Sequence, residues 1–229
     1  MKKILLTSLC ALAVVSGAFA QGKVTWISIT SSAMTSVTNS TQYSPLFGGG
    51  AAPGGAVGST LAAGVAPTFY WALLTIVNAS QQATPTTLPG LQTWSATGLT
   101  ATNSLTASRL APVAGATSVT VPWAAGTTQS VMMAGWSVNL GTTYAAALAS
   151  LQSPSGIVGP GFFGLSNTGF IAPNAADPGV GVFANAPGPQ GTPIFSLATP
   201  LFLVPVPEPG TMALAGLGGL AMLALRRKK

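Results

Sequence analysis

Residues 68–77 read Thr-Phe-Tyr-Trp-Ala-Leu-Leu-Thr-Ile-Val and form a nearly continuous apolar run in the middle of the chain. A run of this length is compatible with a buried strand or a buried helix. Pro67 directly before it and the β-branched residues at its end favour the strand. We therefore predict a buried central strand at this position.

Further short strands are predicted on both sides of this run. Their ranges are 24–30, 118–123, 129–140, 161–170 and 181–183, with a last strand formed by 194–197 and 201–204 and broken at Pro200. Polar or glycine-rich stretches at 31–44, 47–66 and 78–89 predict loops, and residues 91–107 are ambiguous. Residues 144–151 predict one short helix, capped by Thr142 or Thr143.

Many short strands between glycine and proline turns indicate a mainly β fold. We expect a single sandwich- or barrel-like domain with at most one short helix, together with an N-terminal signal peptide and a C-terminal transmembrane helix. The expected boundaries are 1–20 for the signal peptide, 21–204 for the exported domain and 205–229 for a sorting signal.

The charge of the chain is concentrated at its two ends. The formal net charge is +6, but six of the eight cations lie in the first three and last four residues. Between residues 21 and 206 the charged residues are Lys23, Arg109 and Asp177. A nucleic-acid surface needs a basic face that displaces counterions. Two separated cations do not provide one, so nucleic acid is not expected as a partner.

The residues needed for most catalytic chemistry are missing. The chain contains no histidine, which excludes a Ser-His-Asp triad and histidine metal sites. Asp177 alone cannot form an acid–base pair, and a Ser–Lys dyad would need Lys23, which lies near the mature N-terminus where chains are loose. Residues 159–164 match a G-x-G-x-x-G motif in letters only, because no helix pattern follows. We expect a non-enzymatic protein without a cofactor or a metal site.

The tryptophans are candidates for a carbohydrate-binding face. They are Trp26, Trp71, Trp94, Trp123 and Trp136. Aromatic side chains bury the largest areas, so we expect most of these residues to belong to the core. Trp94 lies in a polar setting and is the best candidate for exposure.

The N-terminal residues have the pattern of a secretory signal peptide. A short cationic start is followed by an apolar stretch at 4–16 and by Ala18 and Ala20, which form an A-x-A cleavage site. The mature chain is therefore expected to begin at Gln21. Removal of the signal peptide also removes Cys10, the single cysteine of the chain, so the mature protein has no disulfide framework.

The C-terminus has three parts in a fixed order. They are the motif Val206, Pro207, Glu208 and Pro209, the uncharged stretch 210–225, and the membrane stop Arg226, Arg227, Lys228 and Lys229. An apolar helix with a cationic end predicts a membrane segment whose basic side stays in the cytoplasm. The apolar run 211–225 within it would be about 22 Å long as a helix, which is short against a hydrocarbon core of about 30 Å, so a buried soluble helix is the alternative.

This tail resembles the PEP-CTERM sorting signal of bacterial exported proteins, an element also known as an ice-binding protein C-terminal domain. Gly210 and Met212 replace residues that are often Ser and Trp in the family, but the three-part order is kept. The resemblance implies that an exosortase, a membrane protease, recognises the Pro-Glu-Pro element, removes the helix and passes the body to the surface. It also implies a setting with exopolysaccharide and biofilm.

These patterns predict an exported protein of the cell envelope, cell surface or extracellular matrix with a non-enzymatic structural or adhesive role. The expected partners are an exosortase-type protease, the membrane at least transiently, and polysaccharide. A ligand-binding surface module for carbohydrate or ice is the alternative.

Overall fold

A computed structural model describes residues 21–25, 35–53, 55–62, 64, 68–113, 118–177, 179–183, 188–194 and 198–206 of the protein. The expected cleavage residues Ala18 and Ala20 lie outside these ranges, as do the motif from Pro207 onward and the basic end. Gln21 and Val206 lie within them. In the described ranges, no helix is long and apolar enough to cross a membrane.

The described residues form a mainly β structure with few helices, which confirms the predicted class. The strands are β1 (Gln21–Thr25), β2 (Thr35–Tyr43), β3 (Val57–Ser59), β4 (Phe69–Ile76), β5 (Ser95–Asn103), β6 (Leu110–Pro112), β7 (Ser118–Ala124), β8 (Gln129–Ser137), β9 (Phe162–Leu165), β10 (Gly169–Ile171), β11 (Val180–Gly181), β12 (Gly191–Thr192) and β13 (Ala198–Leu203). The helices are α1 (Leu88–Gln92) and α2 (Tyr144–Gln152). Single 3-10 turns lie at Pro45–Phe47, Val138–Leu140 and Pro154–Gly156.

The strands pair into two sheets. Ten strands form the larger sheet in the order β3-β2-β13-β9-β8-β4-β5-β6, with β10 paired to β8 and β12 paired to β10. The smaller sheet has the order β11-β1-β7. Most pairs are antiparallel, but β13 runs parallel to β2 and β11 runs parallel to β1.

The larger sheet curls until its two ends meet. The backbone N–H of Ser36 in β2 donates to the Ser108 carbonyl at 2.5 Å, and the Ser108 N–H donates to the Thr60 carbonyl at 2.8 Å. Ser108 precedes β6 and has a φ of 66°, a left-handed conformation that is uncommon for a residue with a side chain. Both of its backbone polar groups are thereby used to join the β2–β3 end of the sheet to the β6 end.

The predicted central strand is confirmed as β4, which lies between β5 and β8. Its side chains alternate between two cores. Trp71 and Leu73 pack on the side of the smaller sheet, with Val121 of β7. On the opposite side, Leu74 packs with residues of both helices, Leu91 of α1 and Leu151 of α2. Every residue of β8 is also buried, so this pair of strands is covered on both faces.

The predicted loop at 31–44 is wrong, because residues 35–43 form β2. β2 is rich in Thr, Ser and Asn, so it lacks the alternating apolar residues by which a strand is predicted. The strand is stabilised by backbone pairing with β3 on one side and β13 on the other. Ser36 is buried, and its hydroxyl donates to the Thr199 carbonyl at 2.9 Å. A polar residue can therefore lie inside the sheet because its hydrogen bond is satisfied.

Two further corrections concern the predicted break at Pro200 and the number of helices. β13 runs without interruption through Pro200, and its pairing with β9 begins only at Phe202. Proline has no backbone N–H to donate. It is tolerated at position 200 because β9 does not pair with β13 there. The described residues also contain two short helices where at most one was predicted, since α1 adds one turn directly before β5.

Candidate functional site

A cleft lies over β4 and β5, next to the N-terminus of α2. Its volume is about 430 Å³. Small side chains form its floor, namely Ala72 of β4 and its cross-strand partner Thr100 of β5, together with Ala96. The larger side chains of Tyr70, Trp136 and Tyr144 also line the cleft.

A row of aromatic rings forms one wall of the cleft. Tyr70 lies opposite Trp136 in the β4–β8 ladder, and the two rings stack with centroids 6.3 Å apart and an interplanar angle of 20°. The ring centroids of Trp136 and Tyr144 of α2 lie 6.2 Å apart, and the two ring planes are inclined at 56°. The indole N–H of Trp136 donates to the Gly141 carbonyl at 2.8 Å, which fixes the middle ring of the row.

The first turn of α2, which begins at Tyr144, forms the adjoining rim. Thr143 is the N-cap of this helix, because its hydroxyl oxygen accepts a hydrogen bond from the backbone N–H of Ala146 at 3.2 Å. The helix and one of the two predicted capping residues are thereby confirmed. Thr142 and Thr143 are both exposed, so two hydroxyl groups lie at the edge of the cleft.

Tyr144 differs from the other aromatic residues of the wall because its hydroxyl is buried. The group has no hydrogen-bond partner among the described residues. Burial raises the pKa of the Tyr144 phenol far above its ordinary value, so the group stays protonated at neutral pH. Most buried hydroxyl groups in folded proteins have a hydrogen-bond partner.

The charged side chains lie away from this cleft. Lys23 of β1 forms an ion pair with Asp177, the one salt bridge recorded among the described residues. The Lys23 ammonium group lowers the pKa of the Asp177 carboxyl, chiefly through a hydrogen bond. The prediction that Lys23 lies in a loose N-terminal segment is wrong, because β1 pairs with both β7 and β11. Its amine is bound to a carboxylate, which disfavours the role of a free base.

The glycine motif at 159–164 has a packing role. Gly164 lies in β9, and a Cβ atom at this position would come within 2.1 Å of the Pro200 carbonyl oxygen of β13. The residues that follow form strands, so the strand–loop–helix context of a phosphate-binding loop is missing here. In the described part of the chain, no group of three His, Cys, Asp or Glu residues could hold a metal ion.

The tryptophans are mostly core residues, as predicted. Trp71, Trp123 and Trp136 are buried, whereas Trp26 lies outside the described residues. The prediction that Trp94 is exposed is wrong, since it is 4% exposed and packs in the core beside the helices. Sequence reasoning also missed the cleft, because Tyr70, Trp136 and Tyr144 meet only through strand pairing and helix packing.

The body remains packed up to the start of the C-terminal motif. Val204 is 2% exposed, and its N–H donates to the Gly161 carbonyl at 2.8 Å. Val206, the first residue of the motif, is partly buried against the same core as the helices. The rest of the motif lies outside the described residues.

The packed, mainly β body leads directly into a C-terminal protein-sorting element. The particular element is the PEP-CTERM protein-sorting motif, which the chain carries at residues 205–228. This match confirms the resemblance inferred from the sequence and implies a secreted, exosortase-processed protein of the cell envelope or surface. No curated protein and no solved structure matches the chain.

Proposed function

We propose that the protein is a non-enzymatic structural or adhesive component of the cell surface or of an exopolysaccharide matrix, as in a biofilm. The observation that carries this proposal is the sorting motif joined directly to a strand-rich body. We also infer that the smaller sheet, packed against the curled sheet, makes this body sandwich-like.

The charge distribution supports a role in contact with neutral polymers. Two of the three charged groups between residues 21 and 206 neutralise each other in the Lys23–Asp177 pair. The remaining charged residue in this range is Arg109, which is half-buried. Attraction to a hydrated polysaccharide must then come from hydrogen bonds and aromatic contacts, which salt screens much less than ion pairs.

The chemistry of the body supports a non-enzymatic role. General acid–base catalysis requires a positioned group whose pKa lies near the working pH. Asp177 is exposed and has a lowered pKa, and Lys23 is bound to it. The tyrosine in the cleft wall, Tyr144, has a pKa that burial moves away from neutrality. None of these groups is suited to exchange protons at neutral pH.

For the sorting step, we propose that residues 210–225 span the membrane with the basic end in the cytoplasm until an exosortase cuts the tail. Intact mass spectrometry of protein from the producing cells tests this step. We expect a mass that corresponds to a chain from Gln21 to about Pro209, an estimate that follows from cleavage before the apolar tail. A mass that extends to Lys229 would contradict the removal of the tail.

A pair of proline variants makes the test specific. Pro207→Ala changes the recognised motif, whereas Pro205→Ala changes a proline two residues earlier, outside the Pro-Glu-Pro element. We expect Pro207→Ala to accumulate with its tail in the membrane fraction and Pro205→Ala to be processed normally. Equal processing of both variants would show that the motif does not direct cleavage.

The matrix role is tested by co-sedimentation of the exported protein with polysaccharide extracted from the producing cells. We expect the protein to sediment with the polymer at both 50 mM and 500 mM NaCl, because few of its charges are available for screening. Binding that is lost at high salt would indicate an ionic interaction, and no binding at either salt concentration would contradict an adhesive role. The aromatic cleft favours carbohydrate over ice for the alternative role as a ligand-binding module.

A further inference from the structure

We propose that the cleft between β4, β5 and the first turn of α2 is a binding site for a neutral glycan. This inference rests on the proposed matrix function and names the part of the body that contacts the polymer. The volume of about 430 Å³ lies within the range of small-molecule sites, which also combine apolar walls with a few polar groups.

Tyr70 provides the surface on which a sugar ring can lie. Its side chain is half-buried and is supported from behind by the nearly parallel ring of Trp136. Trp136 is itself held by its hydrogen bond to Gly141. The face of an aromatic ring is electron-rich, so it attracts the polarised C–H groups on the apolar face of a sugar. A rigid ring loses little conformational entropy when such a ligand binds.

The rim formed by α2 provides hydrogen-bonding groups next to the aromatic wall. The oxygen of Thr143 already accepts from Ala146, which leaves its hydroxyl proton available to donate. Thr142 adds a second exposed hydroxyl. The first backbone N–H groups of a helix have no partner within the helix, so they can donate to the hydroxyl oxygens of a sugar.

Tyr144 adds an unsatisfied polar group to this wall. Its hydroxyl is buried and has no partner among the described residues. Because the hydroxyl is closed off from solvent in this structure, a hydrogen bond to a ligand requires the ring to turn toward the cleft. The Tyr144 hydroxyl then forms a hydrogen bond that it lacks in the unliganded protein.

The absence of charge in the lining selects a neutral ligand. None of Lys23, Arg109 and Asp177 lines the cleft. A uronate or phosphate group would leave water without gaining a countercharge, which is unfavourable. A neutral hexose has the required combination of an apolar C–H face and hydroxyl groups around its edge.

The experiment is isothermal titration of the exported protein, purified from its producing cells, with cellohexaose, maltohexaose and trigalacturonate. We expect a neutral oligosaccharide to bind more tightly than trigalacturonate. Tyr70→Ala should weaken this binding by at least about tenfold, because the aromatic contact is lost. Tyr43→Ala is the matched control, since Tyr43 of β2 is also half-buried but does not line the cleft. Its affinity should equal that of the unchanged protein.

Two further variants cover the case in which Tyr70→Ala does not fold. Tyr70→Phe keeps the ring and should retain binding. Thr142→Ala changes an exposed side chain and should weaken binding by about two- to tenfold, the range for one hydrogen bond. Loss of affinity in Thr142→Ala together with retention in Tyr70→Phe supports the site.

The remaining outcomes overturn the proposal. Unchanged affinity in Tyr70→Ala, or in Thr142→Ala where Tyr70→Ala does not fold, would place the binding site elsewhere. Tighter binding of trigalacturonate would overturn the preference for neutral sugars. Failure of both neutral oligosaccharides, while extracted matrix polysaccharide still co-sediments with the protein, overturns the cleft but leaves the matrix function standing. Failure of the oligosaccharides and of the matrix polysaccharide together overturns both.

Discussion

Asn103 joins three segments of the body through one buried side chain. Its carbonyl oxygen accepts from the backbone N–H groups of Thr68, at 3.1 Å, and Phe69, at 2.7 Å, where β4 begins. Its amide nitrogen donates to the Thr68 hydroxyl at 3.0 Å and to the Leu61 carbonyl. The side chain at the end of β5 thereby fixes the start of β4 and the segment after β3.

Asn103→Ala removes all of these bonds at once. Phe69 is buried, so its N–H loses its partner without access to water, whereas Leu61 is exposed and can bond to solvent. One stranded buried donor costs about 1–3 kcal/mol, and the lost bond to the half-buried Thr68 raises the expected total to about 2–4 kcal/mol. For a body of this size each kcal/mol corresponds to a fall in Tm of about 2–4 °C.

Urea unfolding followed by tryptophan fluorescence measures this effect, with Asn39→Ala as the matched control. Among the described residues, the Asn39 side chain accepts hydrogen bonds from Thr41 alone, at an exposed position two residues away. Its replacement should lower the free energy of unfolding by less than about 1 kcal/mol. If the free energy of unfolding falls by the same small amount in both variants, the side chain of Asn103 does not hold the three segments together.

Substitutions at three further positions, two of them with a control variant, test other parts of the structure. Gly135→Ala places a Cβ atom 2.5 Å from Trp71 Nε1 and 2.9 Å from Leu201 Cδ2; it should destabilise the body by about 1–3 kcal/mol in urea unfolding. Gly156→Ala, where a Cβ meets nothing within 4 Å, is its control, and equal stability of the two variants would refute the packing argument. Thr143→Ala should lower stability by about 1 kcal/mol through the lost N-cap, and Thr143→Ser should restore it; a serine variant as unstable as the alanine variant would exclude capping. Asp177 has a lowered pKa in the folded state, so its stabilising effect is present above the unfolded pKa of about 3.9 and is lost as the pH falls through the folded pKa. Asp177→Asn should therefore lack this acid-dependent loss in thermal unfolding between pH 2 and pH 5, and identical profiles would show that the ion pair does not affect folding.

The parts of the fold that could be predicted are those with a local signal. The apolar run of β4, the strand patterns of β7 and β8, and the cap of α2 depend on residues that are neighbours in the sequence. β2 escaped prediction because its stability comes from backbone pairing on both sides, which a polar sequence does not reveal. The sequence predicts a break at Pro200, because proline cannot donate a backbone hydrogen bond. The strand continues through it because β9 begins to pair with β13 only at Phe202, which the sequence does not reveal.

The cleft had even less local signal. Tyr70 and Trp136 become neighbours through the β4–β8 register, and Tyr144 joins them because α2 packs on the same face. The cleft also depends on the small size of Ala72 and Thr100, which in the sequence look like any other strand residues. The sorting motif was recognised because its three parts are consecutive in the chain.

The position of β13 has a consequence for the order of events during export. In the path of the curled sheet, β13 connects the β2–β3 pair to β9, and it is the last strand of the described chain. A secreted chain crosses the membrane from its N-terminus, so β2 must wait for a partner that emerges nearly at the end. When β13 arrives, only residues 204–206 separate it from Pro207, and the apolar tail follows immediately. In the proposed sorting pathway, the sheet is therefore completed only when the residues directly before the motif have been exported.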